Sequence, residues 1–116
     1  MSDFTIYHNP RCSKSRETLA LLESNGVQPR IIKYLETPPS AAELKTLIAQ
    51  LGISAADLVR KSEEIYKTDY AGKTLTDAQW IDAMVKHPVL IERPIVVKGR
   101  AAVLGRPPEN VKKLLK

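Results

Sequence analysis

A single cysteine, Cys12, among 116 residues leaves no partner for an internal disulfide and no cysteine-rich metal site. The two histidines, His8 and His87, lack the spacing of a metal-ligand pair, and His87 before Pro88 reads most simply as a helix-end residue. Aromatic residues make up only 5% of the chain, too few to stack bases. The basic residues are spread along the chain without a stripe or a zinc-finger spacing, so a net charge of +5 does not by itself indicate nucleic acid. No apolar run is long enough to span a bilayer, and the start, Met1-Ser2-Asp3-Phe4, lacks the basic region and apolar stretch of a signal peptide. The expectation is a cytoplasmic protein with neither a membrane nor a nucleic acid as partner. Hydrophobic content of 43% and charged content of 27% match an ordinary globular protein. A chain of this length forms one domain that buries about two-thirds of its unfolded surface.

Phe4–Tyr7 reads as a strand, followed by a helix from about Ser13 to Asn25 that stops at Gly26, with Val27 able to pack back on Leu22. Arg30–Leu35 reads as a second strand, which makes a strand–helix–strand unit with Cys12 at the carboxyl end of its first strand, the usual place for an α/β active site. Thr37-Pro38-Pro39 is a turn rather than a linker. Ser40-Ala41-Ala42-Glu43 is a capping box opening a helix that ends near Gly52, with Ile53 placed to meet Ile48. A short helix follows. Ser54–Asp57 and Thr76–Gln79 carry further start signals, and the last of these helices ends at His87-Pro88. Trp80 and Met84, four apart, suit core packing. Ile95–Val97 and Ala101–Leu104, joined by Lys98-Gly99-Arg100, read as a hairpin. Pro107-Pro108 then launches a helix through about Leu115, whose end carries Lys112, Lys113 and Lys116, where cations suit the helix dipole. The expected fold is α/β, one domain over residues 1–116. It has a mixed four-stranded sheet with flanking helices and a helical insertion of about residues 40–87 between its two halves.

Cys12 stands where the first strand gives way to a helix, within His8-Asn9-Pro10-Arg11-Cys12-Ser13-Lys14-Ser15-Arg16. The first turn of a helix has backbone N–H groups without intrahelical partners and the positive end of the dipole, and both stabilise an adjacent thiolate. An ordinary thiol has a pKa of about 8.5, and each unit of lowering requires ~1.4 kcal/mol. A helix end supplies only about 0.3–1 kcal/mol, so further donors or cations are needed. The segment offers Arg11, Lys14, Arg16, His8 and the hydroxyls of Ser13 and Ser15. Ser15 lies where the second sulfur of a C-x-x-C pair would lie and can donate to the thiolate. A lone cysteine is commonly a small buried hydrophobe, but these polar neighbours argue for a reactive one.

Gly72-Lys73-Thr74 has the ending of a phosphate-binding loop, but Lys67 stands where its first glycine should be. A cysteine phosphatase loop requires arginine six positions after the nucleophile, where this chain has Thr18.

The element order, the opening motif His8-Asn9-Pro10-x-Cys12-x-x-Ser15-Arg16, Arg93-Pro94 and Gly105-Arg106-Pro107-Pro108 together resemble the arsenate reductase family that works with glutathione and glutaredoxin, related to Spx-type proteins. The resemblance covers nearly the whole chain and implies a thioredoxin-like fold. It implies Cys12 as the nucleophile, an oxyanion cradle of Arg60, Arg93 and Arg106, and a cis bond at Pro94. His8 would lower the thiol pKa or position the first turn. Glutathione would be a co-substrate, glutaredoxin the regenerating partner, and no cofactor would be tightly bound. Guanidinium groups suit arsenate because they bind its oxygens in pairs and also favour a thiolate. Ser13-Lys14 replace the Gly-Thr that follows the nucleophile in the best-characterised members, and Arg11 is an added cation.

Two other functions deserve comparison. An Spx-type regulator that contacts RNA polymerase commonly carries a C-x-x-C switch, which Ser15 rules out here. A monothiol oxidoreductase that deglutathionylates proteins would use Cys12 and Ser15 without any oxyanion.

Overall fold

The computed structural model describes residues 3–115, so Lys116, expected among the cations of the last helix, lies outside the described residues. The chain divides into two compact units. The first runs to Thr37 and resumes at Arg93, and the second is Pro38–Glu92.

The first unit contains β1 (Phe4–His8), α1 (Ser13–Ser24), β2 (Arg30–Lys33), β3 (Ile95–Lys98), β4 (Ala101–Leu104) and a closing 3-10 helix, Pro108–Leu114. Its sheet has the order β2-β1-β3-β4, with β1 parallel to β2 and antiparallel to β3, and β3 antiparallel to β4. This is the expected mixed, thioredoxin-like sheet. The register pairs Tyr7 with Ile95 and Ile95 with Leu104. One end of the sheet therefore gathers the end of β1, the start of β3 and the end of β4, and with them the segments that carry Cys12, Arg93 and Arg106.

Helix α1 ends as its sequence requires. Gly26 takes φ +78°, and the N–H groups of Asn25, Gly26 and Val27 turn back to the carbonyls of Leu22 and Glu23 at 3.0–3.1 Å. Its inner face carries Ser15, Thr18 and Leu22, all buried. Leu22 joins Phe4, Ile6, Val96, Val111 and Leu114 in one core cluster. Each such side chain contributes about 1.5–3 kcal/mol by leaving water.

Three boundaries differ from the sequence reading. Strand β2 stops at Lys33 instead of Leu35, because the Lys33 carbonyl accepts from Glu36 and Thr37 N–H, both at 2.9 Å, and turns the chain. Lys98 belongs to β3, leaving a two-residue turn in which Gly99 takes φ +59°. The closing helix is 3-10 in form, and its three-residue period aligns the buried residues Pro108, Val111 and Leu114 on one side.

The second unit is helical: α2 (Ala41–Leu51), a 3-10 turn (Ala55–Leu58), α3 (Glu64–Asp69), α4 (Asp77–Lys86) and a 3-10 turn (Pro88–Leu90). The Ser40 capping box closes in both directions, at 3.1 Å to Glu43 N–H and 3.0 Å from Ser40 N–H to Glu43 Oε1. Thr76 and Gln79 do the same for α4. Gly52 ends α2 in the left-handed conformation. Trp80, Ala83 and Met84 form the buried face of α4, and Tyr66 stacks on Trp80 with ring centroids 6.1 Å apart. The short α3 is not predicted by the sequence. Among the described residues, no helix is long and apolar enough to cross a membrane.

Candidate active site

Strand β1 delivers the chain into a tight loop. Asn9 Oδ1 accepts from Arg11 N–H at 3.0 Å, and the Asn9 carbonyl accepts from Cys12 N–H at 3.0 Å. The chain is thereby folded back so that Cys12 becomes the N-cap of α1, with an extended backbone, and its carbonyl accepts from Arg16 N–H at 3.0 Å. The thiol is partly exposed and is the only cysteine sulfur in the chain.

Partial burial alone pushes the Cys12 thiol up. It is outweighed by the backbone N–H of Ser15, the positive charge of Arg93, the backbone N–H of Lys14 and a hydrogen bond from the Arg93 side chain, so the thiol lies below its ordinary value. Arg93 is buried. The Arg106 Nη1 donates to the Arg93 carbonyl at 3.3 Å and lies 4.0 Å from Cys12 Sγ. Two guanidinium groups therefore converge on one partly exposed sulfur. Such an arrangement can hold a tetrahedral oxyanion against a thiolate.

Ser15 and His8 meet each other. Ser15 is fully buried, and its Oγ accepts from Asn9 N–H at 3.0 Å and lies 2.6 Å from His8 Nδ1. Burial first, then the charges of Lys33 and Arg16, lower the His8 pKa against a smaller opposing effect of Glu23, so the imidazole is neutral at pH 7. Ser15 and His8 share one hydrogen bond whose direction the His8 tautomer sets. Ser15 meets the thiol through its backbone N–H, while its hydroxyl joins His8 at the end of β1 to the first turn of α1.

The remaining cations have other partners or none in the site. Arg16 Nη1 donates to the Pro10 carbonyl at 3.0 Å and braces the loop. Lys14 pairs with Glu17 at 3.5 Å on the exposed side of α1. Arg11 is exposed. Arg60 belongs to the second unit, where its N–H donates to the Leu90 carbonyl at 2.6 Å and its Nη1 lies 3.4 Å from Glu63 Oε2. Cys12, Arg93 and Arg106 are thus gathered at one end of the sheet, together with the His8–Ser15 brace. The Arg93–Pro94 bond is cis, in line with the resemblance, and so is Arg106–Pro107, which nothing in the sequence suggested. Among the described residues, no group of three or more metal-ligating side chains is found.

The model of the ArsC family matches residues 7–114. An arsenate reductase of Escherichia coli is 50% identical over 116 residues, covering 99% of this chain and 82% of that protein. The uncharacterized protein YfgD of Escherichia coli K12 is 55% identical over 108 residues, 91% of each. The solved structure of an arsenate reductase from Vibrio cholerae superposes with a TM-score of 0.92 at 54% identity over 95% of each chain.

Proposed function

The chain belongs to the ArsC family, and on that footing we propose that it reduces arsenate to arsenite through a covalent adduct on Cys12, with glutathione and glutaredoxin as electron donors. The observation that carries this reading is the convergence of Arg93 and Arg106 on a cysteine whose thiol is lowered by backbone N–H groups of the helix it caps. Arsenate needs cations around its oxygens and an anionic nucleophile at its arsenic, and here one cluster serves both needs.

In this account Arg93 and Arg106 hold the arsenate oxygens, and Arg60 is assigned the same role by resemblance to the family. The Cys12 thiolate attacks arsenic, the S–As bond forms, and one oxygen leaves as water after protonation. Glutathione thiol adds to the same arsenic and a second water departs. The two sulfurs then join, giving a Cys12–glutathione disulfide while As(V) takes up two electrons and leaves as arsenite after hydration. Glutaredoxin thiol attacks the mixed disulfide and restores Cys12. A chain with one cysteine needs such an external thiol. These donors belong to the cytoplasm, which is the compartment proposed here.

NADPH oxidation coupled through glutathione reductase tests this directly. Turnover requires arsenate, glutathione and glutaredoxin together, and it is abolished in Cys12→Ser. Removing either guanidinium, in Arg93→Ala or Arg106→Ala, lowers kcat by about 10²–10³-fold, the cost of one oxyanion-stabilising donor. Arsenate-dependent turnover that survives Cys12→Ser, or no turnover in the native protein, overturns the reading.

A further inference from the structure

Six residues after the nucleophile, where a phosphatase loop would place its arginine, this chain buries Thr18 completely on the inner face of α1. Its hydroxyl donates to the Lys14 carbonyl at 2.8 Å, one turn back, and lies 3.3 Å from the Gly105 carbonyl. Gly105 has no room for a side chain. A Cβ there would stand 2.7 Å from Thr18 Oγ1, 2.9 Å from Thr18 Cγ2 and 2.8 Å from Pro94 Cγ. The positive-φ glycines are Gly26, Gly52, Gly72 and Gly99, so space rather than backbone conformation demands glycine at 105. Gly105 N–H also donates to the Pro94 carbonyl at 2.9 Å.

These contacts meet at one point. Thr18 extends from the helix capped by Cys12, Gly105 precedes Arg106, and Pro94 follows Arg93. The backbone at 105 is pinched between a β-branched side chain, stiff at χ1, and a proline ring, neither of which can swing aside. We propose that Thr18 is a positioning residue which, wedged against Gly105, sets how far the Cys12 end of α1 stands from Arg93 and Arg106. The proposal rests on reading the thiol and the two arginines as the reactive site. The hydroxyl adds to this task what a methyl group would not, because its hydrogen bond to the Lys14 carbonyl one turn back fixes the rotamer that faces Gly105.

The test compares Gly105→Ala, Thr18→Ala, Thr18→Val and the double variant Gly105→Ala/Thr18→Ala with the native protein. It uses the pH profile of Cys12 alkylation by iodoacetamide and the arsenate dependence of turnover. Gly105→Ala is expected to raise the alkylation midpoint and to lower arsenate kcat/KM on the order of a hundredfold, the cost of a displacement near 1 Å at a reacting group. Adding Thr18→Ala removes two of the three obstructing atoms and recovers most of both effects. A merely structural role would lower the melting temperature and leave the midpoint unmoved. Folded Gly105→Ala and Thr18→Ala proteins with the native midpoint and kcat/KM within about twofold of native overturn the proposal. Should Gly105→Ala fail to fold, Thr18→Ala decides it: a raised midpoint supports the wedge, whose shape Thr18→Val keeps, and an unchanged one refutes it. Alkylation needs no arsenate, so a shifted and rescued midpoint in a protein without arsenate turnover would sustain the wedge while refuting the proposed substrate.

Discussion

Replacing Ser15 by alanine separates two roles for its hydroxyl. The side chain is fully buried, accepts from Asn9 N–H at 3.0 Å and meets His8 Nδ1 at 2.6 Å, while its backbone N–H faces the Cys12 sulfur. Alanine keeps that backbone N–H and strands the two other groups. A buried polar group left unsatisfied costs about 1–3 kcal/mol. His8 is buried and bears the full effect, whereas Asn9 is half-buried and water recovers part of its loss. The expected destabilisation is about 2–4 kcal/mol, a large share of the 5–15 kcal/mol typical of a domain. Urea denaturation followed by circular dichroism measures it, and iodoacetamide alkylation measures the thiol of the folded protein. The account requires a clear loss of stability with the alkylation midpoint close to native. A loss below about 0.5 kcal/mol, or a midpoint raised as far as in an Arg93 variant, would refute it and return Ser15 to the role of a direct donor to the thiolate.

Other perturbations have equally definite expectations. Leu22→Ala opens the core of the first unit, where Leu22 is fully buried, and should cost about 2–5 kcal/mol in urea denaturation. Ser40→Ala breaks the capping box of α2 and should cost about 0.5–2 kcal/mol by the same measurement. The thiol of Cys12 is lowered in the folded state although burial, its largest single influence, pushes it up, because the Ser15 N–H and Arg93 with their neighbours outweigh that push. Between the folded value and the unfolded value of about 8.5 the unfolded chain binds the extra proton, so native stability relative to Cys12→Ser rises with pH across that window. The difference is fully developed above about 8.5 and vanishes below the folded midpoint. A gap independent of pH would contradict the shift.

The features legible in the sequence are those with local causes. Ser40 with Glu43, Thr76 with Gln79, and the glycines at 26 and 52 mark helix ends through contacts only a few residues apart, and the structure places those ends accordingly. The four strands are legible as short apolar runs bounded by turn residues, whereas their order in the sheet is not. Helix α3 is not legible in the sequence, because its six residues bury none of their own and carry no apolar period. The position of Cys12 at the end of β1 was legible for the same local reason, and the resemblance supplied Arg93 and Arg106. The His8–Ser15 contact was not legible, because a polar residue on the inner face of a helix finds its partner only once the strand beside it is placed. The closure of Thr18 over Gly105 spans 87 residues, and no local pattern marks a glycine kept for lack of space rather than for its backbone angles.

The second-order rate constant of Cys12 alkylation by iodoacetamide as a function of pH tests the central claim most directly, because it reports the thiolate without assuming a substrate. The account predicts a midpoint well below that of an ordinary thiol, rising when the Arg93 charge is removed in Arg93→Met. A native midpoint at or above about 8.5, or one indifferent to Arg93, would contradict it.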